Sequence, residues 1–177
     1  MEAALKTFFS SPRFGVVGAS SDPSKYGHKG TQSLTLIHKS SFNISVVFAW
    51  YLTHSLPVAP LNPSSPSVTV RQDSYDTVKS PSALPEPAST SLSIITPPAV
   101  TLRVLKEAKE AGVPAVWLQP GSFNDEGWEY AKKEFKAAIG GFEGEDMQTN
   151  AHDGWCILVD GERGLEIAGR EWKGVRL

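Results

Sequence analysis

Short apolar runs alternate with amphipathic stretches along most of this chain. The clearest run is 14–20, a β-branched core that closes on small residues and is typical of a buried parallel strand. Similar patterns predict strands at 56–63, 91–96, 115–118 and 156–159. Because strands that alternate with helices form parallel sheets covered on both faces, the pattern predicts an α/β domain of this kind.

Helical periodicity is clearest after the strand at 91–96. Pro97 and Pro98 end that strand and pre-set the first turn of a helix, which Gly112 ends. The apolar stripe of this helix comprises Val100, Val104, Leu105 and Ala108, and its water-facing residues are Lys106, Glu107, Lys109 and Glu110. A second helix is predicted over 125–138, with Trp128, Ala131 and Phe135 on one side.

Two segments are predicted to be irregular. Residues 64–87 are rich in Ser and Pro and favour surface chain, with one short strand at 68–70 and a hydrophobic contact at Leu84. Residues 140–150 are Gly-rich and acidic, which favours a mobile loop over a metal site because metal-binding loops need fixed ligand spacing. No metal site is predicted.

Size and charge narrow the classes of function. The chain has 177 residues and a formal net charge of -2, which suits one domain and provides no basic field for nucleic acid or an anionic membrane. Its one cysteine, Cys156, cannot form an internal disulfide, and the first residues lack the apolar core of a signal peptide. We expect a cytoplasmic protein with a small-molecule ligand, and the residues indicate no particular protein partner.

The loop after the first strand is suited to phosphate. Gly18, Ala19 and Ser20 are too small to block a ligand from the backbone amides, a helix is predicted to begin near Tyr26, and Lys25 adds a positive charge. The alternative is that these small residues only allow close helix packing.

The dinucleotide fingerprint is absent, since Gly18 is followed by no further glycine at the required spacing and the second strand ends in Asn62 rather than an acid. A neutral strand end favours a ligand whose ribose carries a phosphate, such as CoA or NADP, over NAD.

Five motifs occur together in a characteristic order. They are the run 14–20, Lys25-Tyr26-Gly27-His28-Lys29, Pro60-Leu61-Asn62-Pro63, Thr96-Pro97-Pro98 and the run 116–121. This set resembles the CoA-binding domain family, which is similar to the CoA-binding domain of the succinyl-CoA synthetase α subunit, and it covers roughly residues 8 to 160. The resemblance implies a Rossmann-like fold and CoA or an acyl-CoA as ligand.

The resemblance also implies a set of binding residues. The phosphates would contact the loop and turn after the first strand, and the adenosine end would lie beside the end of the second. In chain order the residues are Gly18, Ala19, Ser20, Ser21, Lys25, Tyr26, Asn62, Pro63, Thr96, Pro97, Pro98, Gln119, Pro120 and Gly121.

No catalytic group stands out. The four histidines, His28, His38, His54 and His152, lack the spacing of a metal cluster or a partnered nucleophile and are expected at the surface or at helix ends. Cys156 is expected to serve packing. Binding without catalysis is the simpler interpretation; the alternatives are an NADP-dependent or other nucleotide-using enzyme of unknown reaction and a structural subunit without ligand.

One segment departs from the family pattern. In relatives, a pair like His28-Lys29 leads almost directly into a helix like 47–52, whereas here residues 30–46 intervene. We predict an insertion at this place, either genuine or translated from a retained short intron. Leu34, Leu36 and Ile37 could then compete with Val47 and Phe48 for the same face of the sheet, and the geometry of the binding loop would depend on the outcome.

Overall fold

A computed structural model describes residues 1–19, 44–141 and 154–175 of the chain. In chain order its elements are α1 (Glu2–Phe9), β1 (Arg13–Val17), α2 (Ile44–Thr53), β2 (Val58–Leu61), β3 (Ser67–Val70), β4 (Asp73–Asp76), β5 (Thr90–Ile94), α3 (Pro98–Glu110), β6 (Ala115–Leu118), α4 (Asp125–Glu134), β7 (Ala137–Ile139) and α5 (Ile157–Ile167). Short 3₁₀ turns at Pro81–Ala83 and Pro87–Ser89 lead into β5. None of the helices in the described ranges has the length and apolar character needed to cross a membrane.

The main sheet has five parallel strands in the order β2-β1-β5-β6-β7. Strand β1 lies between β2 and β5: Phe14 is opposite Val58 of β2 on one side and Ser91 of β5 on the other. After β1 the chain forms β2 at the edge of the sheet, and it then returns to the other side of β1 to form β5. The strand order therefore reverses between β1 and β5. In sheets of this topology, ligands bind outside the carboxyl ends of the two strands where the order reverses, here β1 and β5.

Alternate side chains of each strand fill two separate cores, because successive residues of a strand point to opposite faces. Phe14 and Trp117 pack with α1, α2, α5 and the β3–β4 hairpin on one face. Val116 and Leu118 pack with α3 and α4 on the other. This layering confirms the predicted α/β Rossmann-like fold with helices on both faces of the sheet.

Helix α1 was not among the predicted elements. Its buried residues, Leu5, Phe8 and Phe9, follow the i, i+3, i+4 spacing of an amphipathic helix, so the signal is present in the sequence. The ring of Phe8 lies 5.5 Å from that of Trp117. The amino-terminal helix therefore belongs to the core of the domain.

Three expectations are wrong in detail. Residues 156–159, predicted as a strand, contain the N-cap residue and first turn of α5, because Ile157 belongs to a helical stripe with Gly161, Gly164 and Leu165. The helix predicted over 125–138 ends at Glu134, and β7 follows it. The chain at 64–87 is more regular than expected, because it forms the β3–β4 hairpin, whose Val68 and Val70 are buried. The expected hydrophobic contact at Leu84 is present, since this side chain is buried in the core.

Helix α2 contains the apolar segment that follows the predicted insertion. Val47, Phe48 and Tyr51 are buried against the sheet, and the Tyr51 hydroxyl lies 2.8 Å from the Ser93 hydroxyl of β5. Burial raises the pKa of Tyr51 far above its ordinary value, so this hydroxyl stays protonated. Leu34, Leu36 and Ile37, which the sequence offers as competitors, lie outside the described residues, as does nearly all of 30–46.

Candidate functional site

The carboxyl ends of β1 and β5 meet at Gly18. This glycine has a φ of +98°, a conformation that other residues rarely adopt. A Cβ atom at Gly18 would lie 3.2 Å from Thr96 Cγ2 and 3.4 Å from the Thr96 backbone nitrogen. The backbone of the first loop thus crosses directly over the end of β5, at the expected ligand crevice.

Asn62 fixes the end of β2 to this loop. Its side chain is buried, its Nδ2 donates to the Ala19 carbonyl, and its Oδ1 accepts a 2.8 Å hydrogen bond from the Ser64 backbone N–H. The amide therefore ties the backbone that follows β1 to the backbone that follows β2. Pro63, the next residue, is exposed at the rim.

A set of hydroxyl groups lies between β5, α3 and the loop after β6. Thr96 Oγ1 is 2.7 Å from Thr101 Oγ1, and the Thr101 hydroxyl also donates to the Ser122 carbonyl. Pro97 is the N-cap residue of α3 and Pro98 its first residue. Thr96 and the two prolines thus connect the end of β5 to the start of α3.

Gln119 joins the end of β6 to the start of α5. Its backbone N–H donates to the Ile94 carbonyl, and its Oε1 accepts a 3.0 Å hydrogen bond from the Ile157 N–H. The side chain is fully buried, and within the described ranges its Nε2 has no hydrogen-bond partner. The Asp160 carboxylate completes the helix start by accepting from the Cys156 N–H at 3.0 Å. Gln119 is thus a buried link between the end of β6 and the start of α5, and Pro120 and exposed Gly121 follow it.

A cavity of about 260 Å³ opens beside Gly18, between the main sheet and α3. Its apolar walls come from Val17, Leu61, Pro63, Pro81, Val100 and Val104. Its polar lining consists of Thr96, Ser80, Lys79, Arg103 and Glu107. Three of the predicted site residues, Gly18, Pro63 and Thr96, therefore border one cavity.

The charged residues of this cavity were not among the residues predicted from the sequence. Lys79 is placed there by Val78, whose N–H donates to the Pro60 carbonyl and whose carbonyl accepts from the Asn62 N–H, so the segment runs beside β2. Glu107 was predicted to face water but is only partly exposed, and its Oε1 accepts a 2.5 Å hydrogen bond from Ser82 Oγ. Burial would raise the pKa of Glu107, but hydrogen bonds from Ser80 and Ser82 and the charge of Arg103 together lower it.

Other predicted residues lie elsewhere or are not described. Ser20, Ser21, Lys25 and Tyr26 fall outside the described residues, as do His28, His38, His152 and nearly all of the acidic loop. His54 is at the end of α2, as expected, but is buried: its Nδ1 lies 2.7 Å from the Trp50 carbonyl and its Nε2 3.1 Å from Glu162 Oε1. Cys156 is buried at the start of α5.

Comparison with protein families decides the assignment. A family model described as the CoA binding domain matches residues 13–141, which include β1, the crevice and the sheet through β7. The chain belongs to the CoA binding domain family. A search of curated proteins gives no match.

Solved structures agree with this CoA binding domain assignment at the level of the fold. The chain is similar to a conserved hypothetical protein from Pyrococcus furiosus, with 25% identity over 71% of this chain and 90% of that one and a TM-score of 0.53. It is also similar to a hypothetical protein from Pyrococcus horikoshii OT3, with 18% identity over 78% of this chain and 83% of that one and a TM-score of 0.58.

The environment of Asn62 gives a first prediction for this CoA binding domain. Asn62→Asp is expected to lower the free energy of unfolding by about 1–3 kcal/mol, because a carboxylate cannot donate to the Ala19 carbonyl and leaves it unsatisfied. Urea denaturation measures the loss. Exposed Asn124→Asp is the matched control, since its side chain only accepts, from the Gly127 N–H, and a carboxylate keeps that bond. Equal stabilities of Asn62→Asp and the wild type would contradict a structural role for Asn62.

Proposed function

We propose that this protein binds CoA or an acyl-CoA in the crevice at the ends of β1 and β5 and performs no covalent chemistry of its own. The observation that supports this most strongly is the family match over the elements that build the crevice. The fit of the residues is the second support. The positive-φ Gly18 brings open backbone to the crevice, and the adjoining cavity carries the positive charges that a phosphate-rich ligand needs.

Each predicted residue has a role in this proposal. Backbone amides at Gly18 and Ala19, with Ser20, Ser21, Lys25 and Tyr26 of the following segment, would hold the phosphates. Asn62 and Pro63 would border the adenosine end, with Asn62 acting through the backbone that it fixes. Thr96, Pro97 and Pro98 would form the opposite wall, and Gln119, Pro120 and Gly121 the floor.

Binding alone is favoured over catalysis by the state of the histidine and the cysteine in the described ranges. His54 lies against Trp50, with a ring separation of 4.1 Å, and both ring nitrogens face acceptors of the protein. Cys156 is buried beneath the start of α5. A nucleophile or general base needs access to the substrate, and neither group is placed to provide it.

A titration of the protein with CoA tests the proposal. CoA at about 100 times its Kd should stabilise the folded protein by about 2.7 kcal/mol, because a ligand that binds only the native state shifts the unfolding equilibrium. Thermal unfolding with CoA, dephospho-CoA, NADP and NAD at matched ionic strength measures this. A larger shift with NADP than with CoA would favour a nucleotide-using enzyme. No shift with any of the four would favour a structural subunit and contradict the proposal.

A further inference from the structure

Three serines of this chain are followed by proline, and the structure distinguishes them. They are Ser11, Ser65 and Ser80. A serine followed by proline is the pair that proline-directed protein kinases select. Ser11 is buried, and its hydroxyl lies 2.7 Å from the Ser91 hydroxyl, so a kinase cannot reach it. Ser65 and Ser80 are both partly exposed, which leaves two candidate sites for phosphorylation.

Ser80 lies in a segment that can be presented to a kinase. Its backbone is extended, with φ -162° and ψ 168°, and it leads into the 3₁₀ turn at Pro81–Ala83. A residue before proline is held in such an extended conformation by the proline ring. The Ser80 hydroxyl is 3.0 Å from the hydroxyl of exposed Ser82, so it lies at the surface of the turn.

The charges around Ser80 suit a phosphate group. Ser80 lines the cavity beside Gly18 together with Lys79 and Arg103, and within the described part of the chain neither cation forms an ion pair. A phosphoserine opposite unpaired cations forms charge-assisted hydrogen bonds with them. Ser65 does not line this cavity, and its hydroxyl donates to the Ser67 carbonyl.

We propose that Ser80 is a phosphorylation site and that a phosphate there prevents CoA from binding at the neighbouring crevice. The inference rests on the proposed function and deepens it, because it names how the site is regulated. The Ser80 hydroxyl oxygen attacks the γ-phosphorus of ATP, and the bond from that phosphorus to the bridging oxygen breaks. ADP leaves, and the hydroxyl proton passes to the base of the kinase.

The effect on binding follows from charge and space. A phosphoserine carries a charge of about -1.5 to -2 at pH 7, and it would stand in a cavity of about 260 Å³. It would engage Lys79 and Arg103 and repel the phosphates of CoA. It would also disturb the turn, since Ser80 could no longer donate to the Glu107 carboxylate, which now accepts from both Ser80 and Ser82.

The test treats the protein with a proline-directed serine/threonine kinase and MgATP, and mass spectrometry locates the phosphate. Isothermal titration calorimetry then measures the affinity for CoA. The wild type should carry a phosphate at Ser80, and its affinity should fall at least about tenfold, the equivalent of one lost charge-assisted contact. Phosphatase treatment should restore the affinity, which excludes damage to the fold.

Two variants assign the effect to Ser80. Kinase treatment should change the affinity of Ser80→Ala less than about twofold, since phosphates elsewhere on the surface are screened by salt. Ser65→Ala is the matched control, because it removes a hydroxyl from the other partly exposed serine that precedes a proline. This variant should lose affinity on treatment as the wild type does. Circular dichroism checks that both variants fold.

The outcomes separate this inference from the proposed function. Absence of phosphate from Ser80 after treatment, or a phosphate at Ser80 that leaves the affinity for CoA unchanged, would overturn the regulatory role and leave CoA binding intact. An equal loss of affinity on treatment of Ser80→Ala and the wild type would also overturn it. Failure of the untreated wild type to bind CoA would overturn both proposals.

Discussion

Replacing Gly161 with alanine is expected to lower the free energy of unfolding by about 2 kcal/mol, because α5 has no room for a Cβ atom there. That atom would lie 2.4 Å from Trp50 Cζ2 and 2.8 Å from Trp50 Cη2. The indole is rigid and is held between α5 and the His54 ring, so the helix must move outward. Urea denaturation measures the effect.

The matched control is Gly127→Ala in α4. A Cβ atom there meets Asn124 Oδ1 at 3.4 Å and Phe123 Cβ at 3.8 Å, which are ordinary contacts. Alanine should therefore stabilise this helix by up to about 1 kcal/mol through its higher helix propensity. The two substitutions are chemically identical and are expected to have opposite signs. A stabilised Gly161→Ala variant would show that α5 does not pack closely on α2.

The position of α5 also affects the crevice. Its first turn is tied to the end of β6 through Gln119, and the Trp117 Nε1 donates to the Trp155 carbonyl at 3.0 Å. A helix displaced by a clash at Gly161 would pull on both contacts. We therefore expect Gly161→Ala to weaken CoA binding in addition to lowering stability, although Gly161 is not part of the crevice.

Helix α5 also shows where sequence reasoning fails. A run such as 156–159 is equally compatible with a buried strand and with the start of a helix, because four apolar residues cover both faces of either element. The evidence for a helix comes later, in the spacing of Gly161, Gly164 and Leu165. Each of the two glycines leaves space for an aromatic ring: Gly161 for Trp50 and Gly164 for Phe9.

The positions of the strand-end residues were easier to predict than those of the charged residues that line the cavity. Gly18, Asn62, Thr96 and Gln119 each follow a strand, and the ends of parallel strands meet at one edge of the sheet, so local motifs suffice to bring them together. Lys79 and Arg103 follow no such rule. Lys79 reaches the cavity only because its neighbour Val78 pairs with the outer side of β2, and Arg103 because of how α3 lies on the sheet. Long-range contacts of this kind leave no local pattern.

Replacing Gly18 with alanine should abolish CoA binding at concentrations that saturate the wild type. A side chain at a φ of +98° strains the backbone by about 1–3 kcal/mol, and its Cβ atom would also press on Thr96 at the mouth of the crevice. The loop must then move away from β5, and with it the amides proposed to hold the phosphates. Calorimetric titration with CoA measures the loss, at a temperature where the variant is folded.

Gly112→Ala separates the strain from the binding effect. Gly112 has a similar φ of +86° but lies after the end of α3, away from the crevice, and the nearest atom to its added Cβ would be Ala88 Cβ at 3.9 Å. This variant should lose a similar amount of stability and keep the wild-type affinity for CoA. An altered loop at Gly18 cannot leave a phosphate site at the β1–β5 crevice unchanged. If Gly18→Ala and Gly112→Ala both bound CoA as tightly as the wild type, the ligand would therefore have to bind elsewhere.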